Sequence, residues 1–400
     1  MIPKHLYIII AGILAFGYVP SFIPQINIAM TAMSLLWCVI GLIAYSKTPQ
    51  NSLNSLKNKQ WAYWILFLVF LSCFTPAFVY NQSFMGTLIA LRTVPIVLYL
   101  NVFLLMQPEE EDLYKAFKIL GLIAFGTIIF AQFYPHLYID PEKIERRLAY
   151  MDRDGNTDIF STNPGFQSII FLFFFSANKL LSRVFKKIDV LFFLTSLSFI
   201  FIAQNRSTLI IVLPLFLYVI YKVKFRFKST FVFLMAIVGG SFVVNIIGGL
   251  LEESVSQLEN SEYDRWQAIS FYIIDWKYNA WTFLFGNGSP CAGSPYLTLI
   301  NNAKANKCVP SDIGILGTFF HYGFILICIL YAFILKGLKK LNPVYLRFYA
   351  LWLLGVPTIH HFALANTHTQ LKYAIYMYLV LFYIFLHKKN QQTFNAQQSS

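Results

Sequence analysis

Charge is scarce in this chain. Asp, Glu, Lys and Arg make up 12% of its 400 residues against 57% hydrophobic, where a soluble domain carries about 25% charged residues. That shortage excludes an ordinary soluble enzyme. The period-two alternation of a membrane barrel is also lacking, so the apolar runs of 15 to 24 residues read as helices crossing a ~30 Å hydrocarbon core. No small-residue cleavage site follows the first apolar stretch, and a second begins almost at once. Residues 1–20 therefore read as a membrane helix instead of a signal peptide. No internal repeat is visible, which speaks against the matched halves of many transporters.

What is present is a series of about twelve predicted spans, each near the ~20 residues a helix needs: 5–20, 25–45, 61–79, 83–106, 115–134, 164–178, 189–204, 207–221, 229–250, 312–335, 344–363 and 371–387. The basic clusters at Lys47, Lys57 and Lys59, at Arg183, Lys186 and Lys187, at Lys222, Lys224, Arg226 and Lys228, at Lys336, Lys339 and Lys340, and at Lys388 and Lys389 then fall on one side. The positive-inside rule makes that side cytoplasmic and puts both termini there. The expected fold is an all-α polytopic bundle. It forms one integral-membrane domain over 1–387 with a polar cytoplasmic tail, 388–400, and two long external loops, 135–163 and 251–311. The net charge of +13 is accounted for by the cytoplasmic clusters, so no nucleic-acid partner is expected. The acidic run Glu109-Glu110-Glu111-Asp112 after Pro108 suits the first turn of a helix, where carboxylates meet the positive end of the dipole.

Of five cysteines, Cys38, Cys73 and Cys328 lie in spans and are expected to pack in the core. Cys291 and Cys308 share the later external loop, as a disulfide or as two thiols. A bridge implies an oxidising compartment and contributes about 3 kcal/mol.

Both long loops exceed ordinary connections, which points to function. The first carries Arg146, Arg147 and Arg153 among Asp152, Asp154 and Asp158. Two readings stand: local ion pairs of small energy, or a clamp of guanidinium forks for phosphate oxygens. Arg92 lies about 13 Å deep in its span at ~1.5 Å per residue, near Pro95. Such a residue costs ~2.5–3.5 kcal/mol unless a carboxylate, a cavity or an anion meets it, so it is expected to face a cavity. Arg206, in the minimal turn Gln204-Asn205-Arg206-Ser207, sits at the outer interface, for snorkelling or for binding. His360, His361 and nearby His368 have no carboxylate or cysteine at ligand spacing, so they are expected to line the cavity as polar contacts instead of holding a metal.

Taken in order, Arg153-Asp154-Gly155 with Asn163-Pro164-Gly165, Asn205-Arg206-Ser207, Arg265-Trp266, Phe285-Gly286-Asn287-Gly288, and Ser311-Asp312-Ile313-Gly314-Ile315-Leu316 leading to His321-Tyr322-Gly323 resemble the O-antigen polymerase and ligase superfamily. The resemblance covers roughly 135–331. It implies a metal-independent membrane glycosyltransferase without a cofactor, in a bacterial inner membrane. Such an enzyme moves a glycan from undecaprenyl diphosphate to an acceptor hydroxyl at the periplasmic face. Arginines stabilise the charge that builds on the departing diphosphate, and the acceptor needs a base. By motif, Arg265 and Arg206 are expected on the diphosphate, then Arg153, with Arg147 and the deeper Arg92 as further binding residues. Ligases of this superfamily carry a His-Asn pair where Asp312-Ile313 stands here. That departure favours the polymerase branch, with Asp312 as base and Asp264, Glu262 and His321 as rivals. A ligase acting on lipid A core and a lipid-linked oligosaccharide flippase remain the alternatives. The resemblance also implies membrane lipid and a chain-length regulator protein as partners. Asp152-Arg153-Asp154 has the spacing with which sugar-nucleotide transferases hold a divalent cation. Those donors are cytoplasmic and this loop is external, so no metal is assigned.

Overall fold

In the computed structural model of the protein the described residues are 2–16, 18, 24–46, 56–84, 86–87, 95–134, 165–202, 206–223, 264–288, 290–291, 293–305, 313–340, 343–359, 371–384 and 386. Runs of Leu, Ile, Phe and Ala offer the backbone no side-chain partners, so its N–H and C=O groups pair within the segment as helix. Among the described residues the regular structure is helical, with no strand. In chain order the helices are α1 (Lys4–Ala15), α2 (Pro24–Tyr45), α3 (Leu56–Val79), α4 (Pro95–Met106), α5 (Glu110–Phe133), α6 (Phe166–Leu181), α7 (Lys187–Ile202) and α8 (Arg206–Lys222). Then come α9 (Asp264–Ile269), which continues into a π-helical turn (Ser270–Asp275), α10 (Ala280–Phe285), α11 (Pro295–Ala305), α12 (Ile315–Lys340), α13 (Val344–Ile359) and α14 (Leu371–Ile384).

The core centres on α6, which meets α5, α7, α8 and α13, while α5 also carries α1. Its aromatic rows interlock: Phe171 stacks on Phe117 at 4.4 Å, and Phe174 stacks on Tyr349 at 5.4 Å. Tyr18 fixes the chain after α1 by donating to the Leu120 carbonyl at 2.7 Å and sharing a 2.7 Å hydrogen bond with the Ser168 hydroxyl. At one end of the bundle the acidic run is structural, as expected. Glu109 and Asp112 cap α5 reciprocally, and Glu111 pairs with Lys179 at 2.5 Å. Glu110 accepts hydrogen bonds from Asn178 at 2.7 Å and from the phenols of Tyr345 and Tyr383, joining α5 to α6, α13 and α14. Asp189 accepts from Tyr114 at 2.6 Å.

Among the described residues two helical stretches are long and apolar enough to cross a membrane by length and composition, Glu110–Ala131 and Ile315–Lys336, and shorter apolar helices of 10–17 residues accompany them. Large apolar side chains stand outward: Phe78 is 75% exposed, Ile43 69% and Leu217 62%. A helical bundle with such a surface is compatible with a membrane setting.

The predicted spans 25–45, 164–178, 189–204 and 207–221 match α2, α6, α7 and α8 to within a few residues, the ordinary uncertainty of helix ends. The predicted span 229–250 lies outside the described residues. Two features differ from expectation. The stretch 251–311, read as loop, contains α9, α10 and α11. The span 312–335 is not one helix, because Gly323 sits inside α12 at φ 79°, ψ 175°. Cys38 and Cys73 are buried as expected, but Cys328 is exposed. Two residues on a helix turn about 200°, so Leu326 and Leu330, both buried, leave position 328 on the outward face.

Candidate functional site

The helices within 264–320 build their own small core. Ala268, Tyr272, Tyr296, Ile300, Ile313 and Phe320 are buried together, with Tyr80 from the end of α3 packed against them. Tyr80 stacks on Tyr296 at 4.3 Å, and Phe320 meets the edges of Tyr272 at 4.6 Å and Trp276 at 4.8 Å. Local chemistry explains the short helix α10. Asn279 accepts from the Thr282 N–H at 2.8 Å, and the Thr282 hydroxyl accepts from the Asn279 N–H at 2.9 Å, a reciprocal cap. Trp281 then ties α10 to α3 by donating to Thr75 at 3.1 Å. Burial raises the phenols of Tyr80, Tyr278 and Tyr296 above the usual range, so all three are neutral donors at physiological pH.

Beside this core two of the sequence motifs meet. The Asn287 N–H donates to the Phe320 carbonyl at 2.7 Å, and the Gly288 N–H to the His321 carbonyl at 2.9 Å. The Asn287 side chain, fully buried, gives its amide to the Phe320 carbonyl at 3.0 Å and accepts from Trp276 at 3.2 Å and from Tyr80. The approach requires glycine. A Cβ on Gly286 would lie 2.3 Å from the His321 carbonyl oxygen, and one on Gly323 would lie 2.4 Å from the Gly286 nitrogen. Residues 285–288 and 320–323 thus form a clasp that breaks α12 and fastens to it α9, α10 and α11, termed the outer layer.

His321 belongs to this clasp. Its Nδ1 lies 2.7 Å from the Gly288 carbonyl. A carbonyl only accepts, so Nδ1 carries the proton, and in the neutral ring Nε2 holds the lone pair. Asp264 and Arg265 open α9, one turn before buried Ala268 and two before buried Tyr272. Arg206 is the first residue of α8, so the turn expected there ends where the helix begins. The side chains of Asp264, Arg265 and Arg206 lie outside the description, as do Arg92, Arg147, Arg153, Glu262, Cys308, Asp312, His360 and His361 entirely. Cys291 is half-buried, with its sulfur 2.2 Å from where a Cβ on Gly86 would sit, and its N–H donates to Gln82 at 2.9 Å. Among the described residues no group of three or more His, Cys, Asp or Glu is placed to hold a metal ion.

No motif marks Lys372. Lys372, the second residue of α14, is 2% exposed. Its ammonium lies over the Trp352 ring at 4.8 Å and near Tyr373 at 5.8 Å, while Tyr349 takes its backbone carbonyl at 2.6 Å. The signal was a charged residue inside a predicted span, which marks function by default. Its place beside Trp352 arises from packing between α13 and α14, which no local pattern announces.

Comparison with protein-family models and with curated proteins gives no match.

Proposed function

We propose that this protein is a polytopic membrane glycosyltransferase, a surface-polysaccharide polymerase of the O-antigen type. It would pass glycan repeat units from undecaprenyl diphosphate to an acceptor hydroxyl on the periplasmic face of a bacterial inner membrane. On this reading the chain crosses about twelve times, at the ~20 residues per span that a bilayer demands, with both termini in the cytoplasm. The outward apolar side chains and the basic clusters between the predicted spans support the membrane part.

The observation that carries the reading is the clasp. Residues 285–288 and 320–323, two motifs behind the family resemblance, are hydrogen-bonded to each other next to the outer helices that start at Asp264-Arg265. A rigid frame of that kind is what a site needs if it holds charged groups against a departing diphosphate. In the proposed mechanism Arg265 and Arg206 take the diphosphate, with Arg153, Arg147 and Arg92 along its path. Asp312 removes the acceptor proton or orients the sugar, and His321 holds the frame through Gly288.

The test is the lipopolysaccharide ladder of a strain lacking this gene, with and without restored wild-type, Arg265→Ala or Arg265→Lys protein. Loss of the ladder with a core-plus-one-unit band is expected for the deletion and for both variants, because Lys keeps the charge but not the fork. Loss of every glycan-bearing band would mean a ligase or flippase instead. An intact ladder in the deletion strain would reject the O-antigen assignment.

A further inference from the structure

We propose that Lys372 is the cationic centre of a second anion site, at the start of α14, that takes a phosphoryl group. This deepens the polymerase reading by adding a binding residue to it, and the test below does not depend on glycan transfer.

Among the described residues Lys372 meets no carboxylate. An ammonium carries three donors. Aromatic faces attract it but accept no strong hydrogen bond. Among the described residues, Lys372 meets the faces of Trp352 and Tyr373, and the ion pair formed is elsewhere, between Lys179 and Glu111. The sequence contains no Asp or Glu after Asp312, so α13, α14 and the segment between them supply none. Glu110 is reached from α14 through Tyr383, which lies about 16 Å along the helix from Lys372 at ~1.5 Å per residue. Asp189 is engaged by Tyr114 and the Lys186 N–H.

A second positive feature lies across Trp352. The indole that carries the ammonium on its face donates from Nε1 to Thr208 at 3.3 Å, and Thr208 lies in the first turn of α8, which starts at Arg206. First-turn N–H groups and the helix dipole favour an anion there. Trp352 is therefore flanked by two positive features from separate elements. A group answering both needs several oxygens and more than one negative charge, the description of a phosphate or diphosphate, for which lysine serves as a point-charge ligand.

A lipid-linked diphosphate and a phospholipid headgroup both present this chemistry. The experiment uses full-length protein in phosphatidylcholine nanodiscs, with melting followed by tryptophan fluorescence during titration with farnesyl diphosphate or inorganic pyrophosphate. Phosphatidylglycerol is included in a second set of discs. The wild type is expected to show a saturable rise in melting temperature. Lys372→Met is expected to melt higher than wild type without probe, since a buried unpaired charge is gone, and to bind at least ~tenfold more weakly, as loss of a charged contact predicts. Lys372→Arg should recover binding in part, and Lys372→Gln supplies a second uncharged variant should the methionine form not insert. A rise with farnesyl diphosphate that the uncharged variant loses assigns a lipid diphosphate. A rise from phosphatidylglycerol alone that the variant loses assigns a phospholipid. Equal rises in wild type and uncharged variant, or no saturable rise in the wild type with any probe, overturn the site. A polymer phenotype for Arg265 without this binding, or this binding without that phenotype, separates the two proposals.

Discussion

Asn287 gives both its backbone N–H and its side-chain amide to a single acceptor, the carbonyl of Phe320, at 2.7 and 3.0 Å. The side-chain oxygen of the same residue receives Tyr80 and Trp276. One buried amide therefore links α3, the π-helical turn, the strap after α10 and the first half of α12.

Asn287→Ala removes the shared acceptor of two half-buried donors, at up to ~1–3 kcal/mol for each group left unpaired. A fall in melting temperature of the outer layer is expected, read by Trp276 fluorescence because that indole loses its partner. An unchanged melt would mean that water replaces the amide without loss.

Gly323→Ala sets a methyl group against the Gly286 nitrogen and the Leu284 carbonyl oxygen, each at 2.4 Å, in a left-handed conformation. Protease sensitivity should appear between 264 and 322, and on the polymerase reading polymer formation should be lost. Gly126→Ala is the control, since nothing lies within 4 Å of its Cβ. In a helix interior that change should stabilise by ~0.5–1 kcal/mol.

Glu110→Ala leaves the phenols of Tyr345 and Tyr383 and the amide of Asn178 without their acceptor. Destabilisation of about 2–4 kcal/mol is expected for breaking a partly buried network of this kind. Glu110→Gln retains one acceptor oxygen and should lose less. If the two variants melt alike, what holds these helices is the charge that both have lost, and neither the volume of the side chain nor one acceptor oxygen.

Alkaline pH should loosen the outer layer. Burial raises the phenols of Tyr80, Tyr278 and Tyr296, so the native state keeps protons that the unfolded chain begins to release near about pH 10. Their contribution is fully present below that pH and is lost as pH rises above it. Denaturation monitored from about pH 8 to 11 should show a plateau followed by a decline. A decline that starts near pH 8 would place the responsible group elsewhere.

Helix content and most helix positions were legible because an apolar run in a charge-poor chain has one way to satisfy its backbone. Residues 187–202 are a plain case, two residues from the predicted bounds at either end. The break at Gly323 was not legible as a break, because its cause is the close approach of Gly286, far back in sequence. The stretch 251–311 read as loop since its helices are short, and they are held by tertiary contacts such as Trp281 on Thr75 instead of by hydrophobic length. His321 was legible as a special residue, but its partner, the Gly288 carbonyl, required the fold.

The glycine that divides α12 also gives it two arms. The arm 315–322 is fastened to the outer strap through Phe320 and His321. The arm 324–340 is tied to α14, where Tyr376 donates to the Ile334 carbonyl at 3.2 Å. The inner arm is about 25 Å long at ~1.5 Å per residue, so on the membrane reading it tilts when a bilayer thickens or thins. The joint itself is packed against the Gly286 nitrogen and the Leu284 carbonyl, so on that reading a tilt of this arm is passed on to the strap at 284–288.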